Sequence, residues 1–338
     1  MWGTASMGIS RGWRTGAAKR ILPTSSLGWG SRSISSASLM WKAIYMALIF
    51  VGFLSDHLYP FSISSAGCSG QGTLDYGLKA QAIEAGVKFR FRSRKERLPD
   101  RGIIAIGPKV ADAIAKGLIF ETGLPGMAAV IWDDSLAPKG YAYLLVHEGQ
   151  ATLATVLFRH YRDERYYFNR TLETFQRLYP FQMKSPREFG GFGNFSIRPT
   201  AYHGGKLYVG EAAGFQDYLF GFGMRYAMSS GYLAAWSIIE GIDYDKLWKK
   251  ELLPSLRATM VNRLTFEFIG NRGYKFLARR ISRTRDVRGW MQWFCRPSIS
   301  KSFLYPFAAL MGRYRLHFKD YSCSHEDCDC VWCRCQRE

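Results

Sequence analysis

The sequence predicts an α/β fold with an inserted antiparallel β-sheet and a helical C-terminal region. Three observations predict it. Helix, glycine and strand patterns follow one another over residues 73–91. Strand periodicity then takes over between Met127 and Phe158. Finally, a short strand at Lys206–Val209 runs into Gly210-Glu211-Ala212-Ala213-Gly214 and a long helical pattern. Strand–helix alternation calls for a layered α/β domain, whereas consecutive strands call for antiparallel pairing.

Thr73 to Ala85 places Leu74, Leu78, Ala82 and Ala85 at helical spacing, and Gly86 supplies a left-handed stop. Val87 to Phe91 alternates as a strand does. Arg101 to Pro108, RGIIAIGP, reads as a buried strand entering a glycine turn at Gly107, where backbone can approach a ligand. AAVIWDD, GYAYLLVH and ATLATVLF are three antiparallel strands, the last two separated by Glu148-Gly149-Gln150. The aromatic run from Tyr161 to Phe181 is a helix ending near Pro180. The chain thus divides into a basic leader (1–70), an α/β domain (71–125 with 200–240), an inserted sheet domain (126–199), a helical region (241–320) and a cysteine-rich tail (321–338).

Composition narrows the partners. Of 338 residues, 47% are hydrophobic, enough for a buried core, and 46 Lys and Arg against 27 Asp and Glu give a net charge of +19. That balance favours anionic partners such as lipid headgroups or phosphorylated molecules. No RNA-binding signature, zinc-finger spacing or basic-zipper heptad is present, so nucleic acid is not expected. Cysteines cluster at one end instead of spreading as a disulfide framework, which fits a reducing cytoplasm.

Met1 to Ser55 contains no Asp or Glu and reads as a targeting leader or a foreign segment. Its apolar run AIYMALIFVGFL is shorter than the about 20 residues a bilayer span needs. Gly28-Trp29-Gly30-Ser31-Arg32-Ser33 approximates a dinucleotide loop, but Ser33 replaces the third glycine and no convincing strand precedes it.

The densest chemistry lies at Gly210 to Ala235. Glu211 ends a strand, where a sheet delivers ligand-binding groups, and its carboxylate suits sugar-alcohol hydroxyls. Ala212, Ala213 and Gly214 keep side chains out of a ligand's way. Gly221-Phe222-Gly223 opens the helix Met224 to Glu240, whose first amides favour negative charge. Ala227, Ser230, Gly231 and Ala234 give it a small-residue face for close packing.

This stretch resembles the geranylgeranyl reductase family of FAD-dependent oxidoreductases, whose pattern runs GDAAG, GxG, then SGxxAA. Gly210, Ala212, Ala213, Gly214, Gly221, Gly223, Ser230, Gly231, Ala234 and Ala235 match, with Glu211 in place of aspartate. Asp133 to Tyr143, DDSLAPKGYAY, is similar to the family's DxxAPxGYxW segment, and Ile103 to Pro108 to its IIATGP. The resemblance implies an FAD/NAD(P)-binding Rossmann-like domain that lacks the family's N-terminal GxGxxG region, and a substrate-facing sheet. By resemblance, Glu211 holds the ribityl chain of FAD, and the amides of Gly221, Phe222, Gly223 and Met224 face its ring, with Gly107, Gly210, Ala213 and Gly214 shaping the cradle. The implied reaction reduces a carbon–carbon double bond of an isoprenoid or similar hydrophobic substrate, with Tyr141 and Tyr143 lining its path. No acid–base residue and no electron donor is singled out.

Two C-terminal features lie outside that pattern. Leu277 to Phe303 interleaves six arginines with Trp290, Trp293 and Phe294, which suits an anionic membrane surface and a peripheral attachment. Cys323, Cys328, Cys330, Cys333 and Cys335 could enclose zinc or an iron–sulfur cluster. A non-catalytic flavoprotein-like fold that binds membrane or a partner, and a metal module built on the tail, are the alternatives to a flavoenzyme.

Overall fold

The computed structural model describes residues 74–93, 100–107, 111–284 and 286–315. Helix α1 (Leu74–Glu84) stops at Gly86, whose φ of 82° is the left-handed cap expected of it. Val87 to Phe91 is not a strand: among the described residues it pairs with no other segment, and Phe89 stacks locally on Phe91 at 5.9 Å. The strand read over 101–108 is short, with only β1 (Ile103–Ile104) paired.

The inserted sheet is larger than the sequence reading allowed. It holds β2 (Ala113–Glu121), β3 (Met127–Ile131), β4 (Tyr141–His147), β5 (Gln150–Leu157) and β6 (Lys184–Gly193), ordered β3-β4-β5-β2-β6 and antiparallel throughout. Residues 113–121, assigned to the 71–125 segment above, therefore belong to this sheet. Between β4 and β5, Glu148 and Gly149 both take positive φ, the mirror-image turn that matches strand twist.

Pleating distributes each strand between two cores. Tyr141, Tyr143, Leu145, Ala154 and Val156 point to one face, while Ala142, Leu144, Val146, Ala151 and Leu153 point to the other. Helix α2 (Glu164–Leu178) seals the second face with Phe168 and Phe175, each such buried side chain contributing about 1.5–3 kcal/mol.

After β6 the chain returns through β7 (Tyr202–His203) and β8 (Lys206–Tyr208), and β8 pairs parallel with β1. The whole five-stranded sheet is thus inserted between two neighbouring strands of a small three-stranded sheet. Helices α3 (Met224–Glu240), α4 (Tyr244–Glu251), α5 (Leu253–Ser282), α6 (Val287–Cys295) and α7 (Ile299–Arg315) complete the described chain. Helix α4 is tied to the small sheet by Asp245, whose Oδ1 accepts from Ala201 N–H at 2.9 Å and Trp248 Nε1–H at 2.7 Å.

The first face of the large sheet is covered by α5 to α7 and by the segment leading into α3, through Phe220, Met260, Val261, Phe266, Tyr274 and Ala308. Helix α5 bends at Gly270, where φ 53° and ψ −162° are non-helical. The bend brings Asn271 onto the turn before β4: its Oδ1 accepts from Asp134 N–H at 2.8 Å, and its amide donates to Asp133 Oδ1 at 3.1 Å.

Candidate functional site

The site begins where β8 ends. Val209 leads into one tight turn, Gly210–Ala213, closed by Gly214 at φ 78°. Gly210 N–H donates to Ser230 Oγ at 2.8 Å, and that hydroxyl donates to Ala227 O at 3.2 Å, so the turn is fastened to α3. The fit is close: a Cβ on Gly210, at φ 55°, would stand 3.1 Å from Ala227 Cβ. The small-residue face read from the sequence is what permits this approach.

Glu211 projects from the same turn, half-buried, and its Oε1 accepts from Asn194 N–H at 3.1 Å. Asn194 follows β6, so the carboxylate sits between the end of the large sheet and the end of the small one. The neighbouring residues are pinned by Asp112, whose Oδ2 accepts from Phe195 N–H at 2.8 Å. Ser196 N–H donates to Gly214 O at 3.1 Å, which closes residues 193–196 onto the glycine turn.

Residues 215–223 form the rim. Asp217 is buried and organises them: its Oδ1 accepts from Phe220 N–H, its N–H donates to Phe222 O, and its carbonyl accepts from Gly221 N–H. Burial raises its pKa above the ordinary 3.8, opposed by the Phe220 amide and the Arg225 charge. The folded chain therefore holds this proton more tightly than the unfolded chain. The associated stability is fully present below 3.8 and is lost as pH rises through the folded pKa. Asp217→Asn keeps an acceptor for Phe220 without that ionisation. Its melting temperature is expected to gain on wild type as pH is raised above 3.8, measured by circular dichroism, and a constant difference would exclude this account.

Gly223 opens α3 with no side-chain cap and no acidic residue in the first turn. Gln216 lies against this start: a Cβ on Gly223 would be 3.2 Å from Gln216 Nε2, and one on Gly193 3.0 Å from Gln216 Oε1. Gln216 Oε1 is buried and accepts no hydrogen bond from the described residues. An acceptor in that state calls for a donor from a ligand or water.

The sequence-predicted residues thus divide. Gly210, Glu211, Ala213, Gly214, Gly221, Phe222, Gly223 and Met224 are brought together around the β8–α3 turn, and Gly107 follows β1, which pairs with β8. Tyr141 and Tyr143 are elsewhere: both are packed in the core, and Tyr141 OH donates to Phe220 O at 2.7 Å. Burial raises both phenols above their ordinary pKa, so both stay protonated at neutral pH. Their contact with the rim is structural, through Phe220. The five tail cysteines and the Gly28–Ser33 loop lie outside the described residues. Among the described residues no cluster of His, Cys, Asp or Glu could hold a metal ion. Cys295 on α6 has its thiol pushed up to about 12 by burial, with the Asp217 charge adding to it.

Sequence reasoning missed Asn194, Gln216, Asp217 and Arg263. A polar residue between two glycines, as in Gly214-Phe215-Gln216-Asp217 before Gly221, was the signal available for two of them. Arg263 of α5 is wholly buried and holds the rim to the sheet: Nη1 donates to Leu219 O at 2.8 Å, Nη2 to Lys139 O, and Nε to Glu267 Oε1 at 3.1 Å.

These features define a mixed α/β protein with an inserted five-stranded antiparallel sheet and C-terminal helices. The sequence matches no protein-family model and no curated protein. Among solved structures it is similar to a geranylgeranyl bacteriochlorophyll reductase-like protein from Thermoplasma acidophilum, at 16% identity and a TM-score of 0.44 over 67% of this chain. The match spans 58% of that protein's length. It is also similar to the flavin-dependent brominase Bmp2, at 13% identity and a TM-score of 0.47, over 71% of this chain and 74% of the other. A third is CmlS, a flavin-dependent halogenase, at 15% identity and a TM-score of 0.35, over 62% and 46%.

Proposed function

We propose that the β8–α3 turn is the ring-side half of an FAD site and that the chain acts as an FAD-dependent oxidoreductase. The observation that carries this is the conjunction at one place of Glu211 at a strand end, an uncapped helix start at Gly223, and the buried, unsatisfied acceptor Gln216 Oε1. Each matches a different part of one ligand. A ring imide donates to an acceptor such as Gln216 Oε1. The partial positive charge at the start of α3 stabilises negative charge on the ring by about 0.3–2 kcal/mol. Glu211 accepts from ribityl hydroxyls. When bound, FAD supplies hydride transfer, while the chain binds, orients and shields it. The isoprenoid-type substrate follows from the motif resemblance alone and belongs to the same proposal.

The test is flavin binding by the full-length purified chain, followed by flavin fluorescence quenching and by thermal shift. A charge-assisted hydrogen bond contributes roughly 1.5–3 kcal/mol, so Glu211→Gln is expected to weaken FAD by about 10–150-fold. Circular dichroism should show the variant folded, because glutamine keeps an oxygen for Asn194 N–H. No bound flavin and no thermal shift with added FAD would overturn the reading.

A further inference from the structure

We propose that the outward face of α7 is a docking surface for an anionic lipid bilayer. The helix has two distinct faces. Lys301, Tyr305 and Ala308 turn inward: Lys301 Nζ donates to Phe294 O and to Arg296 O, Arg257 of α5 stacks on Tyr305 at 4.8 Å, and Ala308 is buried in the core. The opposite face is apolar and open, with Ile299 78%, Phe303 81%, Phe307 53% and Leu310 54% exposed. Spacings of four, four and three residues put those side chains in one stripe. Scattered exposed apolar residues need no explanation, but a stripe of this kind on one helix marks an interaction surface.

Charge selects the occupant. From residue 253 to 315 the chain has thirteen Lys and Arg and two acidic residues, Glu267 and Asp286. Glu267 is paired with Arg263 and Arg159, which leaves Asp286, an exposed acceptor of the Gly289 N–H, as the one acidic group at the surface of this region. Beyond the bend of α5, Arg272, Lys275, Phe276, Arg279, Arg280 and Arg283 are exposed at helical spacing, adding a basic stripe with an aromatic in it. An apolar stripe in a region with a large excess of positive charge matches the acyl–headgroup boundary of an anionic leaflet, which offers an apolar phase and phosphate together. A nucleic acid offers the phosphate without a phase for Phe303 and Phe307. Among the described residues no helix is long and apolar enough to cross a membrane, so the contact is with the surface.

The test is co-sedimentation of the full-length chain with vesicles of phosphatidylcholine alone and of phosphatidylcholine with about one third phosphatidylglycerol. Partition into the anionic vesicles is expected to exceed that into the neutral ones at least tenfold and to fall as salt rises. The double variant Phe303→Ser, Phe307→Ser is expected to lose at least tenfold, while Tyr166→Ser, an exposed aromatic on α2, changes nothing. Equal partition into both vesicle types, or salt-independent partition of the wild type, overturns the proposal even if the double variant fails to fold. So does a wild-type dimer that the double variant converts to monomer with no lipid partition, because a second copy then covers the face.

Discussion

Replacing Arg263 with alanine is expected to cost about 3–5 kcal/mol in urea unfolding, a large share of the 5–15 kcal/mol typical of a folded domain. The size comes from what the guanidinium leaves behind. Leu219 and Lys139 lose their donors in the interior, and Glu267 keeps its partner Arg159 on a more exposed side. The Phe158 ring, 4.0 Å from the guanidinium, and the Phe266 ring, 5.3 Å from it, both lose the same cation. Burial lowers the pKa of Arg263, opposed by the Glu267 charge, yet an arginine stays protonated across the working range. Arg263→Lys keeps the charge without the planar fork and should recover only part of the loss. Because Leu219 is in the rim of the glycine site and Lys139 in the turn before β4, the alanine variant should also weaken FAD. An Arg263→Ala protein unfolding within 1 kcal/mol of wild type (~1 kcal/mol being a typical substitution) would show that the rim is held by other contacts.

That arginine illustrates why half of the site was not legible in the sequence. In LTFEF and the residues before it, a basic residue followed four positions later by Glu267 reads as a solvated helix pair. Its burial depends on Leu219 and Lys139, 44 and 124 residues away, which no local pattern reports. The strands β3 to β5 were legible because their apolar alternation feeds two opposed cores. Strand β2 was missed because Lys116 and Gly117 interrupt it. Strand β6 was missed because Pro186 and several glycines argue against a strand. Both are tolerated for a physical reason: β6 is at the sheet edge, and the β2–β6 register shifts between Ile119 and Glu121, opposite the proline-bearing stretch. Val87 to Phe91 shows the reverse error, since alternation without a pairing partner does not make a strand. Tyr141 and Tyr143 were read as channel walls because aromatics suit a prenyl chain, but the pleat directs both into the face covered by α5 to α7. The glycine turn was legible because its requirements are local backbone requirements.

Those requirements make Gly214→Ala the sharpest test of the turn itself. At φ 78° an L side chain is strained by about 1–2 kcal/mol. Space is the second objection: the added methyl would stand 2.0 Å from Ser196 Oγ, 2.6 Å from Ser196 O and 2.8 Å from Ser196 N. The hydroxyl can rotate away, but the two backbone atoms cannot move without breaking the Ser196 N–H to Gly214 O bond. Overpacking of this kind costs about 1–3 kcal/mol, so the sum is about 2–5 kcal/mol in urea unfolding. Gly231→Ala is the matched comparison. Gly231 is inside α3, and a Cβ there meets nothing within 4 Å. It should raise stability by about 0.5–1 kcal/mol, as expected of a helix interior. If both alanines behave alike, the turn yields to strain and the geometry that gathers Glu211, Gln216 and the start of α3 is not enforced. Opposite signs mean that Gly214 is required by the protein's own backbone, whereas the glycine at 231, which the fold does not need, can be examined for FAD affinity on a stable background.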